Sequence, residues 1–116
     1  MGDHPDVMYE KMTVIERVFA TIQARRDAEA TQSYVAHLFK LGKAGIAIKV
    51  GEEAVETVVA ALASERDALI HESTDLLFHL MVLWAETGVT PDEVFTELAR
   101  REGVSGLEEK ASRETS

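Results

Sequence analysis

The chain of 116 residues contains no cysteine and only two prolines. Without cysteine it forms no disulfide bond and offers no thiolate as a nucleophile or metal ligand. The sequence also lacks an apolar run long enough to span a membrane, and its first residues lack the basic and then apolar pattern of a signal peptide. We therefore expect a cytoplasmic protein with no membrane partner.

Basic residues are scarce as well, since 12 lysines and arginines stand against 21 aspartates and glutamates, for a formal net charge of -9. A chain this acidic is poorly suited to binding the phosphates of DNA or RNA. A divalent cation can nevertheless bridge an acidic protein and a phosphorylated small molecule. The composition therefore predicts no nucleic-acid partner but leaves a phosphorylated substrate open.

Apolar residues recur with helical spacing nearly throughout the chain, and no segment has the pattern of a strand. We predict one all-α domain over residues 1–116, with a polar tail from about residue 104 that is partly frayed. The predicted helices span about residues 7–28, 33–41, 46–63, 67–86 and 90–103.

Residues at the predicted helix ends support these boundaries. Ser33 is a candidate cap for the second helix, and Gly42 a candidate stop. Thr90, Pro91 and Glu93 form the pattern of a capping box with proline at the first helical position. In the first helix, one apolar face contains Met8, Met12, Ile15, Val18, Phe19 and Ile22.

The third and fourth helices are mostly apolar, yet each concentrates its charged residues in one narrow strip. The strip on the third helix contains Lys49, Glu52, Glu53 and Glu56, and that on the fourth contains Glu72, Asp75, His79 and Glu86. Carboxylates on such helices need partners or a cation, because removing water from them is costly. A plain solvated seam is the alternative, which the apolar character of the fourth helix disfavours.

A short turn near residues 64–66 should fold these two helices into an antiparallel hairpin. Glu56 and Glu72 are equally far in sequence from Ser64, and so are Glu53 and Asp75. Residues equidistant from the turn lie at the same height, and each i, i+3 pair shares one helix face. The spacing therefore predicts that four carboxylates converge.

Four converging carboxylates repel one another unless a cation lies between them. Ligation by oxygen alone suits magnesium, manganese or calcium better than zinc. We predict Mg²⁺ at Glu53, Glu56, Glu72 and Asp75, where it would promote attack of water on a phosphoanhydride with one carboxylate as general base. Glu52, at the edge of the strip, is either a further ligand or an exposed residue.

The spacing of the four acids resembles the metal-binding signature of the all-α nucleotide pyrophosphohydrolases, the MazG-like superfamily. The surrounding sequence is similar to the phosphoribosyl-ATP pyrophosphatase family over about residues 12–113. The segments that carry this resemblance are Ser33-Tyr34-Val35 and residues 49–56, 75–80, 97–101 and 105–110.

This resemblance implies a helical bundle and hydrolysis of the α-β phosphoanhydride bond of phosphoribosyl-ATP. The products would be phosphoribosyl-AMP and pyrophosphate, in the second step of histidine biosynthesis, with magnesium as cofactor. It also implies a homodimer that completes the bundle. The apolar circumference of the fourth helix independently favours a dimer, since so short a chain has few helices with which to cover it.

Four basic residues are candidates to bind substrate phosphates, namely Lys49, Arg100, Arg101 and Lys110. Lys49 is alternatively an ion-pair partner of Glu52 or Glu53, and basic residues at helix ends also complement the helix dipole. His79 either orients the Asp75 carboxylate or is a hydrogen-bonded core histidine.

Two other functions fit parts of the pattern. A MazG-like enzyme acting on ordinary nucleoside triphosphates would share the four acids. A non-enzymatic, metal-stabilised helical interaction protein belongs to another class. A di-iron site usually needs Glu-x-x-His pairs, whereas Glu72 is followed at the third position by Asp75.

Overall fold

The computed structural model describes the backbone of residues 3–104 and 106–115, and the side chains of residues 14–104, 106–108 and 110–113. These ranges contain six α-helices and no strand, so the predicted all-α class is confirmed. The helices are α1 (Asp3–Ala24), α2 (Tyr34–Lys40), α3 (Gly42–Leu62), α4 (Arg66–Thr87), α5 (Pro91–Arg100) and α6 (Gly106–Thr115). The side chains of Met8 and Met12 lie outside the described residues.

Helix α1 is shorter at its C-terminal end than the periodicity predicts, because it ends at Ala24 rather than near residue 28. The amides of Arg26 and Ala28 donate to carbonyls three residues earlier, so the chain tightens into turns here. Arg26 then reaches α4, where it donates to the carbonyl of Ala85 at 3.1 Å and to Glu86 at 2.9 Å. These bonds tie the α1–α2 connection to the C-terminal end of α4.

The connection between α2 and α3 is tighter than predicted. Ser33 caps α2 as expected, with its hydroxyl accepting from the amide of Ala36 at 3.2 Å. Gly42 ends the segment with a φ of +75°, but α3 begins at the same residue rather than near residue 46. A Cβ at Gly45 would lie 2.6 Å from the Cβ of Leu41. Glycine in this first turn of α3 therefore permits the close approach, although it lowers helix propensity.

Helices α3 and α4 are joined by residues 63–65 and pack against each other as a hairpin. The Thr57 hydroxyl lies between them, 2.8 Å from the carbonyl of Glu53 in its own helix and 3.3 Å from the carbonyl of Glu72 in α4. This contact fixes the relative height of the two helices. Helix α4 ends at Thr87, one residue beyond the predicted end, and Gly88 caps it with a φ of +81°.

The C-terminal part of the chain is partly as predicted. Thr90 and Glu93 form the capping box, with the amide of Thr90 donating to Glu93 Oε1 at 2.9 Å, and Pro91 opens α5. Residues 106–115, expected to be partly frayed, form α6 instead. Leucine, glutamate, lysine, alanine and arginine in this segment have high helix propensity, which outweighs its lack of an apolar face.

The core lies at the end of the hairpin opposite its turn, where α1 and α2 cover it. It contains Phe19, Ile22, Val35, Leu38, Ile46, Met81, Val82 and Ala85, with Ile15 and Val18 packed against it. The predicted face of α1 is therefore confirmed at its described positions. No helix in the described part of the chain is long and apolar enough to cross a membrane, and the expected cytoplasmic location stays a prediction.

Candidate metal centre

Glu53 lies on the face of α3 that contains the core residue Ile46, and its side chain is buried, with 8% of its surface exposed. Its Oε2 atom has no hydrogen-bond partner among the described residues. An isolated buried carboxylate is unfavourable, since no water remains to solvate the charge. Burial, and then the negative charge of Glu56, raise the pKa of Glu53 above its ordinary value.

Three of the four predicted carboxylates come together around this position. Glu53, Glu56 and Glu72 each contribute an oxygen, and these oxygens lie within 4.8 Å of one another. Glu56 is exposed and Glu72 is half-buried, so the group opens from the interior to solvent. The hairpin register produces this arrangement, because the Thr57 hydroxyl contacts the backbone carbonyls of both Glu53 and Glu72. We call Glu53, Glu56 and Glu72 the carboxylate cluster.

Asp75 lies beside the carboxylate cluster in a second, overlapping group. One oxygen each from Glu72 and Asp75 and a ring nitrogen of His71 lie within 4.8 Å of one another. His71 Nε2 is 3.2 Å from Asp75 Oδ2. His71 is exposed, and the acid strip described above did not include it. The i, i+4 spacing of His71 and Asp75 on α4 was the available signal.

Glu52 and Lys49 lie at the edge of the site. Their side chains form an ion pair of 3.5 Å, and 58% of the Glu52 side chain is exposed. The structure thus provides the ion pair that is the alternative role for Lys49. The nearby oxygen of Tyr34, and then Glu52, raise the pKa of Lys49.

His79 is buried and links the site to α2. Its Nδ1 is 2.7 Å from the carbonyl oxygen of Asp75, and its Nε2 is 2.8 Å from the Tyr34 hydroxyl. A carbonyl only accepts, so Nδ1–H donates to it, and in the neutral ring Nε2 accepts from Tyr34. His79 is therefore a hydrogen-bonded core histidine rather than a partner of the Asp75 carboxylate. Because helix α2 is remote in sequence from α4, no local pattern predicted this contact.

The predicted phosphate ligands at the C-terminal end of α5 are engaged by another residue of the chain. Arg100 Nη2 donates to Glu97 Oε2 at 2.8 Å, and Arg101 Nε donates to the same oxygen at 3.1 Å. These hydrogen bonds lower the pKa of Glu97 to about 2, and the bond from Arg100 has the larger effect. Lys110 is exposed on α6. The phosphate-binding role of these three basic residues stays a prediction.

A divalent cation fits the carboxylate cluster on two grounds. The buried Oε2 of Glu53 is an acceptor that lacks a donor among the described residues, and the cluster offers only oxygen ligands at short mutual distance. Carboxylate oxygens are the ligands that Mg²⁺ prefers, and the open side would leave room for water and phosphate. The described fold and this cluster define an all-α protein with a site suited to a divalent cation.

Comparison with known proteins identifies the family within this all-α class. The profile of the family described as Phosphoribosyl-ATP pyrophosphohydrolase matches residues 15–102. A phosphoribosyl-ATP pyrophosphatase of Azospirillum brasilense is 53% identical over 102 residues, which cover 88% of this chain and 92% of the relative. The protein of that name from Rhizorhabdus wittichii is 57% identical over 99 residues, covering 85% and 93%. The chain belongs to the phosphoribosyl-ATP pyrophosphohydrolase family, as its motifs indicated.

Proposed function

We propose that the protein hydrolyses the α-β phosphoanhydride bond of phosphoribosyl-ATP, releasing phosphoribosyl-AMP and pyrophosphate in the second step of histidine biosynthesis. Membership of the family supports the substrate. The observation that carries the chemistry is the carboxylate cluster, with its buried and unpartnered oxygen on Glu53. Such a cluster is typical of magnesium-assisted attack on phosphates.

In this proposal Glu53, Glu56, Glu72 and Asp75 hold Mg²⁺. The bound cation would neutralise phosphate charge and lower the pKa of the attacking water. Glu56 is the exposed member of the carboxylate cluster. Water reaching the site therefore meets its carboxylate, which we assign as the acceptor of the water proton. Glu53, which is buried, holds its position through α3 and excludes water from the inner side.

Lys49 binds a substrate phosphate in the same proposal. Its ion pair with Glu52 is exposed and weak, so a phosphate can compete for the ammonium. The ion pair with Glu52, one turn further along α3, puts the Lys49 charge at the margin of the acid strip. A lysine at that position would offset repulsion between the substrate phosphates and the carboxylates.

The first test is pyrophosphate release by the purified protein, comparing phosphoribosyl-ATP with ATP and dCTP in the presence and absence of Mg²⁺. We expect turnover of phosphoribosyl-ATP that depends on Mg²⁺ and exceeds that of the two nucleotides. Preference for ATP or dCTP would instead favour the general nucleoside triphosphate pyrophosphohydrolase. Binding of Mg²⁺ without any pyrophosphate release would favour the non-enzymatic alternative.

The second test replaces single acids by their amides. Glu56→Gln and Asp75→Asn keep the size and one acceptor oxygen of each side chain but remove the charge that holds a cation. We expect each to lower pyrophosphate release by roughly 100-fold or more at saturating Mg²⁺, with the thermal midpoint kept or raised because repulsion is relieved. Near-normal turnover in both variants would rule out the assignment.

We also propose that the protein is a homodimer. The side of α3 facing away from the core is apolar and exposed, with Ile48, Val55, Val58, Val59 and Leu62 all more than half exposed. On α4, Ile70 is 52% exposed. We call these six residues the hairpin surface. A second copy of the same hairpin would cover it and build a four-helix bundle.

A further inference from the structure

A cavity of about 470 Å³ lies between α1, α2 and α4. Its volume is in the range of roughly 300–1,000 Å³ found for small-molecule sites. The walls are apolar for the most part, with Val18, Ile22, Val35 and Phe78 among the lining residues. Arg17, Thr21, Arg25 and Tyr34 supply the polar groups, and no acidic residue of the described chain lines it.

Arg17 and Arg25 are the two basic residues that line this cavity. Both are exposed, and neither forms an ion pair with any described residue. They follow one another at intervals of four residues with Thr21 between them, so their side chains leave α1 and the turn after it on one side. Two guanidinium groups that pair with no acid of the described residues, beside an apolar wall, suit an anion attached to a less polar group.

Tyr34 connects this cavity to the carboxylate cluster. Its ring lines the cavity, while its hydroxyl bonds to His79 at 2.8 Å. His79 in turn bonds to the backbone of Asp75. The Asp75 carboxylate in turn shares a group of close-lying ligand atoms with Glu72, a member of the carboxylate cluster. The cavity and the carboxylate cluster are thus neighbouring sites on two sides of one tyrosine.

We propose that this cavity is a subsite for the phosphate monoester of the substrate, with Arg17 and Arg25 as specificity-determining residues. The inference rests on the proposed function, because phosphoribosyl-ATP carries a phosphate on its second ribose in addition to the triphosphate. The triphosphate is drawn to the cation at the carboxylate cluster. The monoester carries close to two negative charges at neutral pH and would be repelled there, so it needs a basic site of its own.

The test compares two substrates on the wild-type protein, phosphoribosyl-ATP and ribosyl-ATP, which lacks only the monoester phosphate. We expect a KM for ribosyl-ATP at least about 10-fold higher, the effect of losing one or more charge-assisted hydrogen bonds, with a similar kcat. Arg17→Gln and Arg25→Gln should each raise the KM for phosphoribosyl-ATP by about 10-fold and leave the KM for ribosyl-ATP unchanged. Arg25→Lys, which keeps the charge, should recover part of the loss.

Arg66→Gln is the matched control, since Arg66 is an exposed arginine at the α3–α4 turn and should change neither KM. Equal KM values for the two substrates on the wild-type protein would overturn the subsite, as would variants that affect both substrates alike or neither. In each of these outcomes the wild-type protein still turns over phosphoribosyl-ATP, so the proposed function would stand. Absence of any wild-type turnover would refute the proposed function itself, and the subsite with it.

Discussion

At the scale of the residue, Glu53 shows how a side chain suited to binding a cation can reduce the stability of the cation-free fold. Its burial in the hairpin leaves Oε2 without a hydrogen-bond partner among the described residues. Burial is also the main cause of its raised pKa. When no cation is bound, the folded chain therefore favours the protonated form more than the unfolded chain does. A cation reverses this preference, because it binds the charged form. The residue thus makes folding sensitive both to pH and to the cation.

The pH dependence of unfolding tests this description of Glu53. The folded protein has the higher pKa, so the stability that Glu53 contributes is present below its ordinary value of 4.5 and is lost as the pH rises through the raised value. In metal-free buffer with EDTA, we expect Glu53→Gln to unfold at higher urea concentration than wild type at pH 7, and the difference to shrink at pH 4.5. Urea titrations followed by circular dichroism measure this.

Saturating Mg²⁺ provides the control for that experiment. The cation should stabilise wild type at pH 7 and have little effect on Glu53→Gln, since ligand binding to the folded state adds to its stability. A difference between the proteins that is independent of pH would contradict the role of the carboxyl group. Stabilisation of both proteins by the same amount would contradict its role as a cation ligand.

At the scale of the element, the start of α3 shows that local propensity and tertiary geometry can oppose each other. Gly42, Gly45 and Gly51 each lower helix propensity, and on that basis α3 is predicted to begin four residues later than it does. The helix nevertheless starts at Gly42, and the glycine at position 45 leaves room there for the Cβ of Leu41. The α2–α3 connection in turn brings Tyr34 to His79, so this packing contributes to the site.

Two matched substitutions separate these effects. Gly45→Ala should destabilise the protein by about 1–3 kcal/mol, because its methyl group would lie 2.6 Å from the Cβ of Leu41 and force the connection apart. Gly51→Ala lies in the same helix but meets no atom within 4 Å, and should stabilise it by about 0.5–1 kcal/mol. Chemical denaturation measures both. Effects of the same sign would show that propensity alone governs this helix.

At the scale of the whole molecule, the other helices of the chain cover only one end of the central α3–α4 hairpin. Helices α1 and α2 bury the end formed by the start of α3 and the end of α4. The side of the hairpin that faces away from this core presents the hairpin surface to solvent. The carboxylate cluster lies on the same two helices. Large exposed apolar surfaces commonly mark interfaces. A dimer would therefore bury these residues and make the hairpin rigid around the site.

Sedimentation at micromolar concentration tests the dimer. We expect wild type to sediment as a dimer and Leu62→Glu to shift toward monomer, with a dissociation constant at least about 10-fold higher because a charge would enter the interface. Leu107→Glu is the matched control, since Leu62 and Leu107 are 81% and 82% exposed but Leu107 lies on α6. A monomeric wild type, or equal effects of both variants, would contradict the proposed interface.

The sequence by itself determined the helical class, the capped ends of α2, α4 and α5, and the convergence of Glu53, Glu56 and Glu72. These features depend on helical periodicity and on residues close to one another in the chain or symmetrically placed about one short turn. Its motifs also sufficed to indicate the family. Local signals of this kind survive in the folded protein because the hairpin preserves the register that they imply.

Only the tertiary structure decided the features that join distant segments. The Tyr34–His79 bond and the cavity beside Arg17 and Arg25 both depend on how α1 and α2 pack on the hairpin. The sequence also left open whether Lys49 pairs with an acid, and the structure provides its ion pair with Glu52. Contacts between residues far apart in the chain leave no periodic pattern in the sequence, because they arise from the packing of whole helices.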